Sequence, residues 1–191
     1  SISGDETRIN TIIEELELTK LHYYESAEIL SSSRQKSGQS LSKLISKSMQ
    51  ELNMPHGQFY IDVDSNKPQN NGKEATNGID SISFQVSINP GQALEAMHKV
   101  ASGGELSRIS LAMQVILADK VVTPTLIFDE VDVGISGPTA AMVGKKLKQL
   151  SKNTQVICVT HLPQVACKGH QQLFVSKLTD GELTETKVSE L

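Results

Sequence analysis

The chain has 191 residues, 38% of them hydrophobic, 21% charged and 4% aromatic, with no tryptophan. That composition suits a globular protein able to bury a core in one ordinary domain, or a modest domain with an appendage, and it disfavours a base-stacking platform for single-stranded nucleic acid. A net charge of −4 gives no overall attraction to nucleic acid or anionic lipid, and two cysteines suggest a reducing, cytosolic compartment with no disulfide framework.

The opening Ser1-Ile2-Ser3-Gly4 has no initiator methionine and no signal-peptide pattern, so a fragment is expected. No apolar run reaches the roughly 20 residues that a bilayer requires, so no membrane association is expected. Residues 9–52 have helical spacing: Ile9, Ile12, Ile13 and Leu16 fall on one stripe, and Leu41, Leu44, Ile45, Met49 and Leu52 resume it. Pro55 stops the pattern near Asn53. The span is one extended arm or two helices broken at Ser31-Ser32-Ser33, and it is either a helical hairpin or the root of a coiled coil. The expected division is a helical arm over 1–55 and a lobe over 56–191.

Residues 58–64 alternate as a half-buried strand does, 65–78 read as a mobile Asn/Gly/Lys-rich loop, and 79–88 alternate again as a hairpin partner closed by Pro90-Gly91. Beyond Gly103 the expected order is helix to about Asp119, strand 125–129, helix 137–150, strand 155–160, a helical turn, and strands 171–177 and 182–188. Strands alternating with helices imply an α/β fold with a parallel sheet.

Three polar clusters sit at the ends of these elements. The apolar run from Thr125 to Phe128 ends in Asp129-Glu130. If the strand continues, the two carboxylates face opposite sides, so one can hold a hard cation while the other polarises a water; two solvated acids at a strand end are the plain alternative. Ser102-Gly103-Gly104-Glu105 opens a helix whose free N–H groups suit a phosphate, although Ser102 and Glu105 also spell a capping box. His161 follows the strand 155–160, where an imidazole can reach a terminal phosphate or an attacking water. The pattern Cys158-x-x-His161 with Cys167-x-x-His170 superficially suggests zinc. Strand alternation would turn Cys158 and His161 to opposite sides, and Cys158 lies in an apolar run, which argues against it.

Taken together, these motifs resemble a known family. Ala101-Ser102-Gly103-Gly104-Glu105-Leu106-Ser107-Arg108 resembles the signature motif of SMC-like, ABC-type ATPases that act in DNA repair. Thr125-Leu126-Ile127-Phe128-Asp129-Glu130 resembles their Walker B strand. Val131-Asp132-Val133-Gly134-Ile135-Ser136-Gly137 is similar to the D-loop that follows, and residues 159–166 resemble the switch-histidine loop. The resemblance is strongest from about Ser83 to Lys177 and includes Ser87-Ile88-Asn89-Pro90-Gly91.

The resemblance implies the signature-bearing lobe of a P-loop ATPase head with a coiled-coil arm. In such a head Asp129 would be the Mg²⁺-linked carboxylate, Glu130 the base that activates water, and His161 the γ-phosphate sensor. Ser102, Gly103, Gly104 and Glu105 would face the ATP phosphate of a second head, with Val133, Gly134, Ile135, Ser136 and Gly137 at the interface between heads. No Gly-x-x-x-x-Gly-Lys-Ser/Thr loop occurs in the chain. The implied partners are therefore an amino-terminal half carrying that Walker A loop, a second head as homodimer, and DNA through the full assembly. The chain alone is expected to be inactive, and the implied setting is the bacterial cytoplasm at the nucleoid. A non-catalytic module and a transporter's nucleotide-binding subunit are the alternatives; Glu130 with His161 disfavours the first and the helical segment disfavours the second.

Overall fold

The computed structural model describes residues 2–65, 75–100, 102–118, 120, 123–180 and 183–191. The expected loop at 65–78 falls largely outside the described residues, as does Ala101.

One helix, α1 (Ile2–Glu51), occupies 50 residues without interruption. Ser31-Ser32-Ser33 lies inside it and does not break it. No proline falls within it, and it stops where Asn53 adopts φ of 65°, a left-handed residue just past the last turn, with Pro55 following. Buried positions of its second half lie four residues apart at Ala27 and Ser31 and three to four apart at Ser42, Ile45 and Met49, continued by Leu52 just past its end. Leu44 falls off that face and is exposed.

Strands β1 (Gln58–Asp64) and β2 (Ser81–Ser87) form the expected antiparallel hairpin, from Gln58↔Ser87 to Asp64↔Ser81. A two-residue strand β3 (Glu95–Ala96) adds to β2 and runs into a single helical turn, α2 (Met97–Val100). Neither short element had a sequence signal. The free edge of β1 lies against α1, where two serines serve it: Ser46 Oγ accepts the Phe59 N–H at 2.8 Å and Ser42 Oγ accepts the Ile61 N–H at 3.0 Å. Side chains of a helix thus satisfy strand donors that would otherwise offer an open edge.

Further along α1, Tyr23 Oη donates to the Ala75 carbonyl and accepts its N–H, each at 3.0 Å. Asp80, fully buried, accepts from Ser31 Oγ at 2.5 Å and pairs with Arg34 Nη1 at 2.8 Å. Arg34 Nη2 also donates to the Asn77 carbonyl at 2.8 Å. These contacts fasten the segment before β2 to the middle of the helix.

The second half of the chain is the α/β part. Helix α3 (Gly103–Leu117) leads to β4 (Thr125–Phe128), α4 (Gly137–Leu150), β5 (Gln155–Cys158) and a helical turn, α5 (Pro163–Ala166). Strands β4 and β5 pair in parallel through the α4 crossover, from Thr125↔Gln155 to Phe128↔Cys158. A final hairpin, β6 (Leu173–Asp180) with β7 (Leu183–Glu190), forms its own antiparallel sheet. Among the described residues no helix is long and apolar enough to cross a membrane.

The core joins both parts: Ile45 and Met49 of α1, with Leu52 just past it, cluster with Phe59, Val86, Ile109, Leu111, Phe128, Val143 and Val165. Lys146 of α4 reaches across to Glu51 at the foot of α1, Nζ to Oε2 2.8 Å. Phe128 is buried, but Ile127 is 71% exposed, and its register partner Ile157 and nearby Val159 are exposed too. A two-stranded sheet covered by helices on one side only leaves every second apolar residue in the open.

Candidate functional site

The first cluster opens α3. Ser102 is its N-cap and builds the full capping box: its Oγ accepts the Glu105 N–H at 3.4 Å, and Glu105 Oε2 accepts the Ser102 N–H at 2.9 Å. Ser102 Oγ also lies 2.8 Å from Glu105 Oε2 as a donor. Glu105 thereby places a negative charge at the helix start, which the helix dipole favours. Gly103 is exposed and Gly104 buried. The carboxylate of Glu130 occupies the place that a Cβ at Gly103 would need. Glycine at 103 is what lets the acid rest against the first turn of α3.

The second cluster departs from the expected geometry. Strand β4 ends at Phe128, so Asp129 and Glu130 lie beyond the ladder, and the strand-alternation argument for their opposite orientation does not apply. They are arranged by a turn instead. Asp129 Oδ1 accepts the Glu130 N–H at 2.9 Å, and Glu130 takes φ of 57°. A non-glycine residue in the left-handed region costs on the order of 1 kcal/mol or more and marks a place where the fold holds a side chain against its preference. The turn is held from α3: Ser107 Oγ donates to the Asp129 carbonyl at 2.7 Å, and the buried Arg108 donates through Nη1 to the Val133 carbonyl at 2.8 Å. Burial lowers the pKa of Arg108, against the opposing influence of Glu105. Its Nε has no partner among the described residues.

Val133, Gly134 and Ser136 are exposed, Gly137 opens α4, and Ile135 is buried. Gly134 has φ of 72°, a conformation that a side chain would strain.

The third cluster also sits past a strand end. Strand β5 stops at Cys158, and the Val159 N–H makes one further ladder bond to the Phe128 carbonyl at 2.9 Å. Thr160 and His161 then meet Asp132, the third acid of the preceding turn. Thr160 Oγ1 donates to Asp132 Oδ2. The His161 N–H donates to the same oxygen at 3.1 Å, and His161 Nδ1 stands 3.4 Å from Oδ1. Because His161 follows the strand rather than lying in it, strand alternation no longer separates it from Cys158. Burial, then Asp132 and Asp129, pushes the Cys158 thiol up to about 11, so the free thiol stays protonated near neutral pH.

The structure therefore brings Glu130 onto Gly103, ties Asp129 to α3 through Ser107, and couples the loop of His161 to the turn that follows β4. Sequence reasoning missed Ser107, Arg108, Asp132 and Thr160. Only Asp132 had a signal, as the third acid in four residues, and nothing in the sequence separated it from a solvated one. Among the described residues no three His, Cys, Asp or Glu side chains converge as a metal cage. Asp129 is exposed and offers one hard oxygen beside the one engaged by Glu130, which suits a Mg²⁺ that keeps waters and phosphate oxygens as its other ligands.

No protein-family model matches the chain. It is 52% identical over 184 residues to the DNA repair protein RecN of Vibrio cholerae serotype O1, covering 96% of this chain and 32% of that protein. It is 50% identical over 165 residues to RecN of Haemophilus influenzae, covering 86% of this chain and 29% of that protein. The chain thus spans about a third of the length of the curated relatives it matches. Among solved structures, the Smc head domain with an extended coiled coil from Pyrococcus furiosus matches with a TM-score of 0.60 at 14% identity, over 97% of this chain and 43% of that one. The Smc head with a coiled coil and joint from Pyrococcus yayanosii gives 0.58 at 18% identity, over 97% and 34%. Along nearly its whole length the chain is similar to part of the RecN DNA repair proteins, and it shares the α/β fold of the Smc head domains behind a long helix.

Proposed function

We propose that the chain supplies one side of a composite ATP site in a DNA-repair ATPase, the other elements coming from the remainder of a RecN-length protein and from a second head. The observation that carries this reading is the convergence at one end of the parallel pair: the Glu130 carboxylate lies on the first turn of the signature helix, and the Asp132 turn holds the loop of His161. Glu130 is the general base that takes a proton from the attacking water, and the exposed ring of His161 stands where that water meets the terminal phosphate and helps to orient it. Asp129 would hold Mg²⁺, which would supply positive charge to offset that of the phosphates. The α3 N-terminus, with Ser102, Gly103, Gly104 and Glu105, faces the nucleotide of the second head, and Val133, Gly134, Ile135, Ser136 and Gly137 line the contact between heads.

Residues 1–55 act as the arm and 56–191 as the lobe, with DNA met by the whole assembly in the bacterial cytoplasm at the nucleoid. The uncovered apolar face of Ile127, Ile157 and Val159 supports a missing lobe that packs there, since such a face is costly to leave in water. With no phosphate-cradling loop of its own, the chain by itself does not turn over ATP.

The test combines the chain with the remaining sequence of a RecN-length protein and measures ATP hydrolysis with and without DNA. Activity should appear only in the combination, and Glu130→Gln should lower it by on the order of 10²–10⁴-fold. Turnover by the chain alone that Glu130→Gln abolishes would overturn the composite reading.

A further inference from the structure

Asp132 was given no chemical role above beyond holding the loop of His161, yet its surroundings are those of an acid held for a purpose. Its side chain is 2% exposed, on the turn between β4 and α4, and the donors it meets come from the residues leaving β5. Thr160 Oγ1 and the His161 N–H both donate to Oδ2, and Nδ1 of the same histidine faces Oδ1 at 3.4 Å. Thr160 Oγ1 in turn accepts the Leu162 N–H at 3.1 Å, so one carboxylate organises the backbone on both sides of the histidine. A carboxylate this deep is costly unless donors surround it, and two hydrogen-bond donors from one loop, with Nδ1 close by, offset that cost.

The neutral imidazole carries a single N–H, and the partner of one nitrogen decides which of the two holds it. With Nδ1 turned to a carboxylate, the favoured neutral form is Nδ1–H. Nε2 is then left as a bare acceptor on a ring that is 67% exposed.

We propose that Asp132 is a positioning residue for His161: it locks the ring with Nδ1 inward in the Nδ1–H tautomer and presents Nε2 outward as an acceptor for the water that attacks the phosphate. The orientation is a property of this chain; only the identity of what Nε2 faces rests on the ATP-site reading. Thr160 shares the task by fixing the loop from below.

The test begins with long-range proton–nitrogen correlation spectra of the 191-residue chain, recorded at about pH 8.5, where an ordinary imidazole is neutral. His161, assigned through loss of its signals in His161→Gln, should show the Nδ1–H form. Asp132→Asn should shift it towards Nε2–H while the backbone spectrum keeps its dispersion. In the full-length protein, the same substitution should lower kcat by about 10–100-fold, as loss of an orienting acceptor behind a functional histidine does, and leave the KM for ATP unchanged.

A residue with a purely structural role would reduce the folded fraction without changing the tautomer or kcat per folded molecule. An Nε2–H tautomer in the unsubstituted chain overturns the proposal by itself, even where Asp132→Asn does not fold. An unchanged tautomer or an unchanged kcat in Asp132→Asn overturns it as well. Absence of ATP turnover in the unsubstituted full-length protein rejects the ATP-site reading instead, and the tautomer then decides the role of Asp132 alone.

Discussion

The two halves of α1 carry the same three-to-four spacing of apolar residues and meet opposite surroundings. Every residue from Asp5 to Thr19 is exposed, including the stripe of Ile9, Ile12, Ile13 and Leu16. From Ala27 onward the helix turns one face to the β1–β2 hairpin and then to the core, where Ile45, Met49 and Leu52 are sealed from water. Helical periodicity records that a face is to be covered; what covers it is decided by other parts of the chain. The first stripe has no counterpart among the described residues, whereas the second meets a hairpin, α3 and α4.

That contrast can be broken most directly at Met49. Met49→Ala empties a fully buried site and should cost about 2–5 kcal/mol, a fall in Tm on the order of 5–15 °C by calorimetry. A loss no larger than that of a substitution in the exposed stripe would erase the distinction between the halves.

Glu51→Gln probes the foot of the helix and should cost less, under about 1 kcal/mol, because Glu51 is 41% exposed and solvent screens the pair. The Lys146 hydrogen bond lowers the pKa of Glu51 from its ordinary 4.5, against opposing burial. Its contribution is therefore present above that value and lost as pH falls through the lower folded value. The Tm difference between the unsubstituted chain and Glu51→Gln should be largest near neutral pH and close as the pH drops below 4.5.

The smallest effect is expected at Ile13→Ser: within about 0.5 kcal/mol for this chain, measured by the same unfolding experiment. In the full-length protein the same change should become destabilising if a partner helix covers the stripe.

Much of the fold was legible. Strand 58–64 and helix 137–150 are found at the expected bounds, and the hairpin, the parallel order and the capping box all follow from local chemistry. The serines at 31–33 were ambiguous for a physical reason. In a solvent-facing helix they read as a weak spot, but Ser31 and Ser42 provide small hydroxyls where a strand and a buried acid approach. No property of residues 31–42 alone distinguishes those cases.

The site was legible as a set of motifs and not as geometry. Asp129, Glu130 and His161 each stand one to three residues past a strand end, where the turn and not the ladder sets direction. Asp132 and Thr160 were invisible because their partnership spans 28 positions and depends on the parallel pairing of β4 with β5.

The length of α1 has a mechanical consequence. At about 1.5 Å per residue its 50 residues extend about 75 Å, and the contacts with the lobe described above lie from Tyr23 onward, roughly 30 Å from its first turn. The helix is thus a lever with its fulcrum in the lobe. Its short arm ends beside Lys146, on the helix that issues directly from the Asp132 turn. A tilt of about 5° about the foot would carry the far turns of α1, about 75 Å away, through roughly 6–7 Å, so displacements small at the core become large further along the arm.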